Sequence, residues 1–171
     1  MRQPNLDVRR LIPAMSPPKR SPSDTRFSIK YLQYSILQLQ NTDASVHNTL
    51  LTLYATDPSP DAAELLHFLA ASPDNPLTGA PYYDLDYALR LCRSNKRVQA
   101  CVLIYSKMGL YESSVDLALA NDDLELAKIN ADKPEDDDIL RKKLWLKIAR
   151  YVVGQKNDIK TCVLLPSSRS S

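Results

Sequence analysis

Two histidines, three cysteines and one run of carboxylates are the residues here whose types suit metal binding or nucleophilic chemistry. His47 and His67 fall on separate helical patterns, and neither has a second titratable group at metal-ligand spacing. Each reads as a satisfied or exposed histidine. The run Glu135-Asp136-Asp137-Asp138 has the charge for a divalent cation, but it lacks the alternation and the glycine of a calcium loop. Negative charge at a helix start accounts for it. Arg141-Lys142-Lys143 suits phosphate, yet successive helical positions point about 100° apart, so no continuous basic stripe follows. The sequence holds no Gly-rich phosphate loop, no nucleophile elbow and no HExxH. The expectation is a protein that is not an enzyme, with catalytic, cofactor and metal residues all none and protein-interface residues unassigned.

Cys92, Cys101 and Cys162 form no CxxC pair. Cys92 and Cys101 sit within apolar helical patterns, where a reduced thiol acts as a small hydrophobe. A disulfide framework is not expected, which favours a cytoplasmic location. The net charge of +2 excludes a global polyelectrolyte argument for nucleic acid. Charge is uneven, however: residues 1–30 carry +5 and the rest −3. No apolar run approaches the ~18 residues that span a bilayer, so any membrane association is expected to be peripheral and through partners.

The elements carrying these residues are helical throughout. Residues 1–14 predict a short helix, and 15–26, rich in proline and basic residues, a disordered linker. From Phe27 the pattern is periodic. Tyr31, Tyr34, Ile36 and Leu39 mark a first stripe; Val46, Leu50, Leu53 and Tyr54 mark a second, capped by Thr42 or Asp43. Ser59 followed by Pro60 predicts the start of a third helix with Ala62, Leu65, Leu66 and Leu69 inward. A loop covers 72–83. Asp84 caps a helix with Leu85, Ala88, Leu91 and Cys92 inward. Residues 100–105 are apolar almost throughout and demand neighbours on two sides. Gly109 ends that helix in a left-handed conformation. Tyr111, Val115, Ala118 and Leu119 form the next stripe, and Asn121-Asp122-Asp123 separates it from Leu124, Ala127 and Ile129.

The longest helical signal is DKPEDDDILRKKLWLKIARYVV, residues 132–153. Asp132 and Glu135 predict a capping box, Gly154 predicts the end, and Trp145, Ile148, Ala149 and Val152 predict the buried face. No period-two alternation competes. Short connections after residue 83 make consecutive helices antiparallel neighbours. The expected fold class is all-α: an α-solenoid of stacked antiparallel helical hairpins over 27–163, with a disordered tail at 164–171. A compact helical bundle is the structural alternative.

VHNTLLTLYA (46–55), YYDLDYALRLC (82–92), ACVLIYSKMGLYESSVDLAL (100–119) and DKPEDDDILRKKLWLKIARYVV (132–153) together resemble the clathrin-heavy-chain-repeat region of the vacuolar protein sorting-associated protein 18, or Deep orange, family. MRQPNLDVRRLIPA (1–14) is similar to the start of a repeat in that family, whereas 16–26 and 162–171 do not look like family sequence. The resemblance implies a scaffold segment of the class C core shared by the HOPS and CORVET tethering complexes. It implies work in endosome-to-vacuole or lysosome trafficking, in vesicle docking and in membrane fusion. Implied partners are other class C vacuolar sorting subunits and, indirectly, Rab GTPases and SNAREs. The implied location is cytoplasmic, peripheral on late endosome and vacuole or lysosome membranes. The family's β-propeller and zinc-binding RING-type domain have no counterpart in these residues, so zinc does not transfer, and the chain is expected to be a fragment or a faulty gene model. Alternatives are a clathrin-like or general helical-repeat adaptor and, from another class, an E3 ubiquitin-ligase component.

Overall fold

Helix start signals and left-handed turn residues divide the chain into eight α-helices among the residues that the computed structural model describes, 21–59 and 62–164, with side chains described as far as 157. No strand occurs among them beyond one isolated bridge, Asp74 to Pro81. The expected all-helical class is what is observed. The chain divides into two compact units, Met1–Met108 and Gly109–Ser171.

The first unit holds α1 (Pro22–Leu37), α2 (Ala44–Thr56), α3 (Ala63–Ala71), α4 (Leu85–Ser94) and α5 (Val98–Lys107). Helix α1 begins inside the expected linker. Ser21 accepts a hydrogen bond from the Ser23 amide, Pro22 occupies the first turn and Asp24 follows it. Those three residues are a start signal in their own right, and they make 22–26 helical despite the proline-rich surroundings. The predicted helix at 1–14 and the rest of the linker lie outside the described residues. The buried face of α1 is Ser28, Leu32, Ser35 and Ile36, while Tyr34 and Leu39 are exposed. Of the stripe expected there only Ile36 is buried and Tyr31 is half-buried; the helix is turned so that Leu32 joins Ile36 inside and Gln33 donates to the Tyr54 hydroxyl of α2 at 2.5 Å.

Helix α2 is the centre of this unit. Asp43 caps it by accepting the Ser45 amide at 2.9 Å. Val46, Leu50, Leu53 and Tyr54 are all buried, as their spacing requires. It packs against α1, α3 and α4, and α5 packs against α4 and α3. Helices α2 to α5 each meet a neighbour and a next-but-one neighbour, the contact pattern of stacked hairpins, while α1 packs on α2. Helix α5 buries Ala100, Cys101, Val102, Ile104 and Ser106, so it is covered on two sides. Burying a side chain of this size stabilises by roughly 1.5–3 kcal/mol for each Leu, Ile or Val.

Ser59 does not cap α3. The helix starts at Ala63, with Ala62 at the cap position and no side-chain cap bond. Ser59 instead gives its carbonyl to the guanidinium of Arg97 at 3.0 Å. The loop 72–83 folds back on itself: Asn75 donates its amide to the Ala80 carbonyl at 2.8 Å and Gly79 takes φ +66°. Asp84 then caps α4 through the Tyr87 amide at 2.8 Å, and its own amide reaches Asn48 of α2 at 3.0 Å.

The second unit holds α6 (Tyr111–Ala120), α7 (Leu124–Ala131) and α8 (Asp138–Leu164). All three pack on one another. Gly109 precedes α6 with φ +74°, as its position predicts. Asp122 takes φ +57°, and Asp123 caps α7 by accepting the Leu126 amide at 3.0 Å. The buried face of α7 is Ala127, Asn130 and Ala131, and Ile129 is exposed.

Helix α8 departs most from expectation. It begins at Asp138, not 132, because Asp137 accepts the Leu140 amide at 2.9 Å and serves as the cap. Asp132 is occupied elsewhere, accepting the Trp145 indole N–H at 2.7 Å. It ends at Leu164, not Gly154. A glycine costs a helix interior only about 1 kcal/mol, too little to stop a helix with residues able to continue on both sides. Its buried face is Leu144 and Ile148, with Trp145 and Ala149 exposed.

Gly109→Val is expected to destabilise by about 1–2 kcal/mol, the cost of a left-handed conformation for an L-residue. No heavy atom lies within 4 Å of a Cβ built there, so the loss is backbone strain alone. Gly154→Ala is its counterpart: a helical position with open space around the new methyl, expected to gain roughly 0.5–1 kcal/mol. Urea midpoints of the two variants moving in the same direction would refute the assignment of the two conformations.

Candidate interaction surface

The residue types with chemical potential are dispersed. His47 is fully buried in α2; its Nε2 lies 2.8 Å from the Asn41 carbonyl and its ring meets Tyr82 at 5.4 Å between centroids. The other ring nitrogen, Nδ1, has no hydrogen-bond partner among the described residues. His67 is exposed on α3. Glu135 through Asp138 are exposed before and at the start of α8, where Asp137 caps and Asp138 pairs with Arg141. No group of three or more His, Cys, Asp or Glu able to hold a metal occurs among the described residues. Cys92 and Cys101 are buried free thiols, and burial pushes Cys92 up to about 12 and raises Cys101 as well. Thiols held protonated are poor nucleophiles. The Cys162 side chain lies outside the described residues.

Burial lowers the His47 pKa, outweighing the Asn41 hydrogen bond and the Asp43 charge that favour protonation. The folded protein therefore binds this proton more weakly than the unfolded chain. Below about pH 6.5 the unfolded chain takes up the proton first, so stability falls as pH drops through that value. His47→Gln is expected to flatten the slope of unfolding free energy against pH between about pH 7 and 5, whatever it does to the absolute value. An unchanged slope, read from urea titrations at each pH, would refute this role for His47.

The basic cluster 141–143 splits in three directions, as its spacing predicts. Arg141 pairs with Asp138 one turn back, Lys143 reaches Glu112 on α6 at 2.6 Å, and Lys142 stands exposed. Lys147, one turn beyond Lys143, reaches Asp116 at 2.7 Å and Glu112 at 3.9 Å. Two acids four residues apart on α6 thus meet two lysines four residues apart on α8. The Lys143 hydrogen bond, more than the lysine charges themselves, holds the Glu112 carboxyl below its usual range. These pairs are exposed and screened by salt, so they set the register of α8 on α6 more than they stabilise it. At the far end the Tyr151 hydroxyl donates to Asp122, and Gln155 donates to that hydroxyl at 3.0 Å.

Two features escape sequence reasoning. The first is Arg97, between α4 and α5, whose guanidinium reaches the carbonyls of Ala55, Asp57 and Ser59 at and beyond the C-terminal end of α2. A lone arginine after Asn95 carries no sequence signal for that reach of some 40 residues. The second is the solvent face of α8. Ile139, Leu146 and Val153 are 83%, 52% and 57% exposed, on the side opposite Leu144 and Ile148. Their spacing of seven is visible in the sequence, but a second apolar stripe at 140, 144 and 148 competes with it.

No helix among the described residues is long and apolar enough to cross a membrane. Helices that meet next-but-one neighbours define a helical-repeat fold. A family model described as the second half of the VPS18 alpha-solenoid domain matches residues 1–153, a span that runs through 16–26 and stops short of 162–171. The chain belongs to the VPS18 α-solenoid family. It is 45% identical over 165 residues to the vacuolar protein sorting-associated protein 18 homolog of Danio rerio, covering 95% of this chain and 16% of that protein. It is 44% identical over 165 residues to vacuolar sorting protein 18 of Arabidopsis thaliana, covering 94% of this chain and 16% of that protein. Vacuolar membrane protein pep3 of Schizosaccharomyces pombe is 39% identical over 162 residues, covering 93% of this chain and 17% of that protein. The chain thus spans about one sixth of the length of these relatives.

Proposed function

We propose that this chain is a scaffold segment of a class C tethering complex of the HOPS or CORVET kind, acting in endosome-to-vacuole or lysosome trafficking, vesicle docking and fusion. The observation that carries the reading is the identity of about two residues in five, over nearly the whole chain, to relatives named for vacuolar sorting. The dispersed titratable groups and buried thiols agree with a role in holding partners rather than turning over a substrate. Its partners are the other class C vacuolar sorting subunits, with Rab GTPases and SNAREs reached through them. Its place is the cytoplasmic side of late endosomes and the vacuole or lysosome, peripheral and dependent on those partners.

The test is chemical cross-linking of the tagged chain in cells, followed by mass spectrometry of what it retains. Class C sorting subunits enriched over an unrelated helical-repeat control are the expected result. Their absence, with the chain folded and expressed, would overturn the proposal.

A further inference from the structure

The connection from α3 to α4, residues 72–84, is longer than joining two helices requires. Residues 95–97 and 121–123 each join a pair of helices in one short turn, and such connections commonly run about 2–8 residues. The extra length is ordered from base to tip. At the base the Tyr82 ring meets His47 of α2, buried Tyr83 meets Phe68 of α3 at 5.7 Å between centroids, and the Tyr83 hydroxyl donates to the Leu69 carbonyl at 3.4 Å. At the neck Asp74 bridges to Pro81. Beyond it the Asn75 side chain accepts the Leu77 amide at 2.9 Å, and the Asn75 carbonyl accepts the Gly79 amide at 2.8 Å. Pro73, Pro76 and Pro81 restrict the backbone further. This compact loop holds one large apolar side chain out at its tip. Leu77 is 93% exposed, the most exposed large hydrophobic among the described residues.

A neighbouring repeat of the same polypeptide stacks on helix faces, whereas extra length in a connection stands clear of that stacking and in helical repeats often marks the binding face. A leucine held out by a fixed backbone loses little freedom on docking, which suits it to anchor a contact. Charge separates a protein from a membrane as the occupant. Residues 72–84 hold Asp74 and Asp84 and no Lys or Arg, and the cation that approaches them, Lys107, lies 4.0 Å from Asp74. The loop therefore has no positive charge to offer an anionic leaflet. Nor does one leucine hold a protein to a bilayer, since even a myristoyl chain, far larger, binds only marginally. We propose that Leu77 docks in a leucine-sized apolar pocket on another subunit of the sorting complex, the fixed loop serving as its mount. This inference rests on the class C reading and adds to it a site on this chain.

The in-cell cross-linking of the tagged chain, run on the parent, Leu77→Asp and Leu77→Met side by side, tests it. Leu77→Asp is expected to lower the recovery of at least one class C subunit about tenfold or more, and Leu77→Met to keep it near the parent level. The position is exposed, so both variants are expected to share the parent's urea midpoint, which separates lost docking from lost folding. Equal recovery of every subunit by the parent and Leu77→Asp would overturn this inference and leave the class C reading standing. Recovery of no class C subunit by the parent would overturn both. Three further results would overturn the docking site alone: co-sedimentation with phosphatidylserine vesicles that Leu77→Asp abolishes, a dimer in sedimentation that it dissolves, or a cross-link from Leu77→Cys to another segment of the same polypeptide.

Discussion

Leu144→Ala is expected to destabilise the second unit by about 2–5 kcal/mol, whereas Leu146→Ala, two residues further along the same helix, should change it by less than about 0.5 kcal/mol. Leu144 has no exposed surface, and truncating it removes apolar contact while leaving a cavity where α8 meets α6 and α7. Leu146 is 52% exposed on the opposite face. The paired measurement decides the rotation of α8 about its axis. A sequence reading with Trp145, Ile148, Ala149 and Val152 inward turns the helix so that Leu144 lies at the margin. Similar losses at 144 and 146, from urea denaturation followed by circular dichroism, would contradict the observed orientation.

Arg97→Ala is expected to cost about 2–3 kcal/mol, the scale of hydrogen bonds made by a charged group. The Arg97 guanidinium serves the carbonyls of Ala55, Asp57 and Ser59. These lie where α2 ends, and the last carbonyls of a helix lack intrahelical partners and carry the negative end of its dipole. A planar fork reaches several of them together, so Arg97→Lys should recover only part of the loss, an ammonium being unable to span the same carbonyls. Because α2 is the helix on which α1, α3 and α4 pack, loosening its end should lower the cooperativity of the whole first unit. Stability in Arg97→Ala equal to that of the parent, in low and high salt alike, would show that the contact is incidental.

Chain punctuation was legible because it is local chemistry. Asp43, Asp84 and Asp123 each cap the helix that their position announces, through a carboxylate reaching an amide two or three residues on. Gly109 adopts the left-handed backbone that its place after α5 requires. The apolar run at 100–105 announced a helix covered on two sides, and α5 packs on both α3 and α4. None of these conclusions needs a distant residue. The helix starts that went astray fail for the converse reason. Ser59 and Asp132 have the composition of caps, but Ser59 supplies a carbonyl to Arg97 and Asp132 accepts from Trp145, partners 38 and 13 residues away.

Family membership was legible for a related reason, since 132–153 carries a long and specific run of residues. The exposed apolar face of α8 was not. Helix α8 has apolar residues on two sides, and hydropathy does not rank one stripe above the other. By itself the amino-acid sequence determined the all-helical class and where most helices are punctuated. Only the tertiary structure decided which stripe of α8 is core and which is left to solvent, that His47 is buried and Tyr34 is not, and that Arg97 closes the end of α2. The reason is that burial depends on a neighbour's position as much as on a side chain's hydrophobicity. Burying Leu144 and Ile148 against α6 and α7 outweighs exposed ion pairs, and the rotation that puts Leu144 inside and leaves Leu146 outside also brings Lys143 and Lys147 to Glu112 and Asp116 of α6.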